Sequence, residues 1–205
     1  MSTTFEVYPM NPGIPSYEAV LELATVRIGE FLRDQGIEVR LDLAVDVKGP
    51  DNRSLEVCKS APFNIGGEAY SWFYWANRGG GTDAYFHVVE EVDWECWENE
   101  IQTKAWLGVP AEDIRTALGV GHYWAFRRSA GQPGHIALTY GFLAAAVAEL
   151  TGGFLYSSDG AWDYDSMPCR TGDLITRWFR PELESRVNDA EWYRKCLDAI
   201  RAGDA

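Results

Sequence analysis

Residues 90–100, EEVDWECWENE, set six carboxylates (Glu90, Glu91, Asp93, Glu95, Glu98 and Glu100) around two tryptophans with no lysine or arginine among them. Self-repulsion makes such a segment costly, so it calls for a use. Two placed carboxylates can cleave a glycosidic bond, and carboxylates with a suitably placed lysine or histidine can activate water on a metal. An acidic, aromatic surface can instead recognise a basic partner.

The metal chemistry finds little support. Lys104 follows Glu100 by four residues, which is the wrong step for an ExK arm on one strand face, and His87, His122 and His135 stand apart with no nucleophile motif beside them. No metal ligand set, cofactor motif or catalytic residue is assigned. The glycine clusters RGGGTD and LTGGF lack the lysine and order of a phosphate loop, and read as turns. A carboxylate pair drawn from Glu91, Asp93 or Glu95 remains open as the basis of a small hydrolase acting on a neutral substrate.

The geometry of the segment has two readings. As a strand continuing HVV, it puts Glu91, Asp93 and Glu95 on one face about 6.6–6.8 Å apart and turns Val92, Trp94 and Cys96 inward. As a helix, it puts Glu91, Glu95 and Glu98 on one ridge. Both leave an anionic surface, on which Trp97 is a candidate anchor. A face that only solvates the protein beside a core Trp94 fits the same spacing.

Charge distribution adds to the case. The net charge is −13, and residues 1–100 hold 18 acids and 7 bases against 13 and 11 in residues 101–205. Seven acids and no base lie between Arg78 and Lys104. Such a surface repels phosphate, so nucleic acid is excluded as a partner, whereas a basic protein suits it. Cys58, Cys96, Cys169 and Cys196 have no ligand or disulfide spacing and read as reduced thiols. The first twenty residues show no basic and apolar leader pattern, and no run reaches the roughly 18 apolar residues of a membrane span. A cytoplasmic protein without membrane contact is the expectation.

The elements that must carry the acidic segment form an α+β pattern. Ser16 caps an amphipathic helix ended by Gly36, and IEVRLDLAVDV (37–47) alternates as a half-buried strand. RSLEVCKS reads as a second strand, and AYSWFYWAN and DAYFHVVEEV as a hairpin about RGGGT. PAEDIRTAL is a short helix, HYWAFRRS a strand, and HIALTYGFLAAAVAELTGG an apolar helix ending in glycines. FLYSS and AWDY read as a small hairpin about Asp159-Gly160, followed by helices over TGDLITRWF and NDAEWYRKCLDAIRA. The sum is a single domain over residues 1–205, mainly antiparallel sheet with packed amphipathic helices; two similar halves, about 1–105 and 106–205, are the other division.

From ALTYGFLAAAVAELTGGFLYSSDGAWDY onward the chain resembles bacterial immunity proteins of polymorphic-toxin and type VI secretion systems, in particular the family paired with restriction-endonuclease-like nuclease toxins. The whole chain is similar to that family in length, tryptophan content and layout. The resemblance implies a protein without enzymatic activity that binds a cognate toxin and blocks its active site or substrate entry. It transfers no site residues. On the chain's own chemistry, Glu90, Glu91, Asp93, Glu95, Trp97, Glu98 and Glu100 are the expected partner-binding residues. A hydrolase with a carboxylate pair, or a protein-binding adaptor, monomeric or homodimeric, are the alternatives.

Overall fold

The computed structural model describes residues 2–104, 107–184 and 186–203. Its centre is α4 (Gly134–Thr151), fifteen of whose eighteen residues are buried. A helix apolar on all sides has to be surrounded. It lies on one face of an antiparallel sheet and is enclosed by α1 (Tyr17–Asp34), α5 (Thr171–Arg177) and α6 (Val187–Ala202). Contrary to the expectation that no segment qualifies, α4 is long and apolar enough to cross a bilayer. Its burial inside the protein explains that apolarity without a membrane.

Local signals fix the helix ends. Ser16 Oγ accepts from the Ala19 amide at 3.2 Å, and Gly36 follows α1 at φ 66°. Gly152, at φ 61°, closes α4 in the left-handed conformation that only glycine adopts cheaply. Close approach sets another position: a Cβ on Gly141 would stand 2.4 Å from Trp178 Nε1, so the glycine lets a buried indole lie against α4.

The sheet comprises β1 (Thr3–Tyr8), β2 (Leu43–Lys48), β3 (Ser54–Leu55), β4 (Tyr70–Trp75), β5 (Thr82–Val88), β6 (His122–Arg128), β7 (Phe154–Tyr156) and β8 (Cys169–Arg170). Their order is β3-β2-β4-β5-β6-β1-β7-β8, with antiparallel pairs throughout. The fold is therefore α+β, as the pattern implies. One sheet takes strands from both halves of the chain, and β1 of the first half sits between β6 and β7 of the second.

Alternation divides the residues between two faces. Phe5, Val7, Val45, Val47, Phe73, Trp75, Trp124 and Phe126 are buried on the α4 side. Tyr8, Tyr85, His87 and Tyr123 belong to the opposite face, which α2 (Glu91–Thr103) and α3 (Ala111–Gly119) cover only in part.

Four local expectations change. β1 was not anticipated. The 37–47 strand begins only at Leu43, where β4 supplies its partner Trp75; Ile37 instead ties back to α1, its amide donating to Leu32 O at 2.8 Å. Of RSLEVCKS only Ser54–Leu55 pairs. FLYSS and AWDY form no hairpin, because β7 is taken by β1 and β8, and the Asp159-Gly160 turn closes a loop in which Thr4 N donates to Asp159 Oδ1.

A buried polar chain links sheet and helix. Trp75 Nε1 donates to Thr139 Oγ1 at 2.8 Å, and that hydroxyl donates to the His135 carbonyl at 2.6 Å. Burial and the nearby Arg78 cation push the His135 imidazole down to about 4. An unfolded histidine titrates near 6.5, so below that pH the unfolded chain binds a proton that the folded chain refuses. Stability is expected to be full above about pH 6.5 and to fall toward pH 4. His87 and His122 are lowered in the same direction by burial. Denaturant midpoints at pH 7.5 and 5 should show a smaller acid-induced loss for His135→Gln than for the wild type; equal losses would remove His135 from the effect.

Candidate functional site

EEVDWECWENE is a helix. β5 stops at Val88, opposite His122 at the start of β6, so no neighbouring strand remains for the acidic segment to pair with. The Glu90 amide then donates to Asp93 Oδ2 at 2.7 Å, and Glu91 and Asp93 occupy the first turn of α2. Carboxylates are stabilised there by the unsatisfied amides and the positive end of the helix dipole. The strand reading is thus overturned: Val92 and Cys96 face outward instead of inward, and Trp94 is only half-buried.

Trp97 is the residue that holds α2 down. It is 3% exposed, with its ring centroid 4.5 Å from that of Tyr156 and edge-on to Tyr8 and Phe154 at 5.3 and 5.5 Å. It cannot serve as a surface anchor. Its neighbours continue as a row of rings across the sheet: Phe154 stacks on Tyr8, Tyr8 on Tyr123, and Tyr123 on His87. Each of these side chains comes from a different strand, so the row depends on the register of β7, β1, β6 and β5.

The acids divide by what they touch. Asp93 is spent on the helix start. Glu98 takes a bidentate pair from Arg115 of α3 at 2.6 and 2.8 Å, which holds its carboxyl below the usual range. Glu100 accepts from Tyr164 Oη at 2.9 Å and lies 3.9 Å from Lys104 Nζ. Lys104 also donates to the carbonyls of Tyr164 and Met167, fastening the end of α2 to the 164–167 segment. Glu90, Glu91 and Glu95 are exposed and join no ion pair among the described residues. Val88 and Val92, 67% and 55% exposed, lie in the same stretch.

Half-exposed rings adjoin these free acids. Tyr85 and His87 of β5 lead directly into Glu90, and Tyr70, Trp72 and Tyr74 of β4 share their face of the sheet. AYSWFYWAN thus gives its Phe73 and Trp75 to the core and keeps three rings half-exposed. Exposed acids at the start of α2 thus follow on in the chain from a sheet face that carries half-exposed rings.

Beneath α2 lies a cleft of about 320 Å³, lined by Glu6, Tyr8, Asp93, Trp97, Glu100 and Tyr156 among others. Burial raises the Glu6 carboxyl, with the Asp93 and Asp159 charges acting in the same direction and a hydrogen bond from Tyr8 opposing them. Burial likewise raises the Tyr8 and Tyr156 phenols. Glu6 escaped the sequence reading, although Phe5-Glu6-Val7 alternates as a strand should. Among the described residues no group of three or more histidine, cysteine or acidic side chains is placed to hold a metal ion.

Comparison of the chain with protein-family models, curated proteins and solved structures gives no match. The site therefore rests on its own geometry. Removing the Trp97 ring should cost about 3–5 kcal/mol, the usual range for a buried aromatic, because three neighbouring rings lose their contact. Chemical denaturation of Trp97→Ala checks this, with Glu95→Gln expected to stay within about 0.5 kcal/mol of wild type as an unpaired surface change.

Proposed function

We propose that this chain is an immunity protein, without enzymatic activity of its own, that binds and neutralises a cognate cytoplasmic toxin with a basic, nuclease-type active surface. One observation carries the reading: Glu90, Glu91 and Glu95 are exposed and free of ion pairs among the described residues, beside the half-exposed rings of β4 and β5. Unpaired carboxylates attract a basic partner over distance, and rings between them supply desolvated contact area once it has docked. A nuclease has to hold phosphate and so presents cations to such a face. Occupying those cations excludes the nucleic acid without any chemistry by the inhibitor.

The test is association with the toxin encoded beside this gene, measured against salt. Glu90→Lys/Glu91→Lys/Glu95→Lys should slow association at least tenfold at low salt and flatten its salt dependence, in protein whose circular dichroism shows it folded. Unchanged association in the folded variant removes these acids from the interface. Absence of both binding and growth rescue on co-expression overturns the immunity role itself.

The cleft under α2 favours a second reading, a small hydrolase. Glu6, whose carboxyl burial raises, is the candidate general acid, and Glu100 lines the same cleft as the second carboxylate, against an aromatic wall of Trp97 and Tyr156. Purified protein should then hydrolyse members of a chromogenic glycoside panel, and Glu6→Gln should lower turnover at least a hundredfold. Absence of turnover across the panel discards this reading and leaves the first intact.

A further inference from the structure

We propose that a second pocket, on the α4 side of the sheet, binds a small aromatic carboxylate, with Arg128 as the group that pairs with the carboxylate. The pocket has a volume of about 350 Å³, and its walls include Tyr140, Trp162, Trp178, Trp192 and Tyr193 with Arg128. It is bounded by the end of β6, the loop after β7, and the first turns of α6. It shares no residue with the cleft under α2 and does not depend on the acidic-face reading.

Arg128 is the unusual member. Its guanidinium lies over the Trp192 ring at 5.2 Å and the Tyr140 ring at 5.7 Å. Its Nε is buried and has no acceptor, and among the described residues the side chain joins no ion pair. The adjacent Arg127, by contrast, pairs with Asp83. Ring faces attract the cation but accept few of its five N–H donors, and a buried Nε–H left without an acceptor is costly.

Among the described residues none of the acids around the pocket pairs with Arg128. Arg186 takes Asp163 at 2.8 Å and Asp189 at 3.6 Å, and Glu184 accepts from the Arg186 amide at 3.0 Å. Asp163 and Asp189 are therefore engaged by Arg186. A planar carboxylate matches the fork of the free guanidinium, and a ring attached to it finds indole and phenol faces on several sides.

Benzoate is the probe, followed through the indole N–H resonances of ¹⁵N-labelled protein. Benzoate should shift Trp162 and Trp192 in a saturable way and leave Trp97 unmoved. Benzamide, which keeps the ring and loses the charge, and acetate, which keeps the charge and loses the ring, should each bind at least tenfold more weakly. Arg128→Gln should weaken benzoate about tenfold, the scale of one charged hydrogen-bonded contact. No saturable shift with benzoate overturns the proposal, as does equal affinity for benzamide or for acetate. Benzoate affinity retained in folded Arg128→Gln also overturns it; should that variant not fold, the comparison of the three probes on wild type decides alone.

Discussion

The fold depends on the requirement that α4 be enclosed. Its residues are apolar around the whole circumference, so it gains from burial on every side and has no polar face to leave in water. One side of the sheet supplies one wall, and α1, α5 and α6 supply the rest. Gly141 admits Trp178 on one flank and Phe31 meets Phe142 on another, their centroids 5.4 Å apart. With four helices committed to that face, only α2 and α3 cover the other. That asymmetry is what leaves rings of β4 and β5 half-exposed.

The acidic helix is therefore an attachment to the thin side of the protein, and its character follows from how it is held. Trp97 fixes it from below, Arg115 through Glu98 from one side, and Lys104 at its end. Those contacts use Glu98 and Glu100. What points away is the remainder, Glu90, Glu91 and Glu95, whose mutual repulsion is eased by water and by the amides at the helix start. Glu98 shares a ridge of the helix with Glu91 and Glu95, so it is the reach of Arg115, and not the helix face, that separates the carboxylate spent on the fold from those left free.

The two cavities differ in the same way as the faces they lie on. Under α2, acids and phenols crowd together, and burial favours their neutral forms. On the α4 side, the Arg128 guanidinium lies among rings with its Nε unpartnered, while Asp163 and Asp189 pair with Arg186. Glu6 in one cavity and Arg128 in the other come from alternating positions of β1 and β6: Glu6 and Tyr8 point one way, and Phe5 and Arg128 the other.

Much of this was legible in the chain. Capping at Ser16, the glycines after α1 and α4, the hairpin about RGGGT and the uniform apolarity of HIALTYGFLAAAVAEL are local, and local physics sufficed to place those elements. The α+β class follows from them, and so does the concentration of acid before Lys104. Tertiary structure decided the rest, because it concerns partners distant in sequence. Strand limits at Leu43 and Val88 depend on where β4 and β6 run, not on alternation. Trp97 and Trp94 look alike in sequence, yet only the first meets Tyr8, Phe154 and Tyr156. Which carboxylates are free depends equally on Arg115 and Tyr164, brought in by a second helix and a distant loop. Sequence set the amount and sign of the charge; contacts from a second helix and a distant loop set which of it stays free.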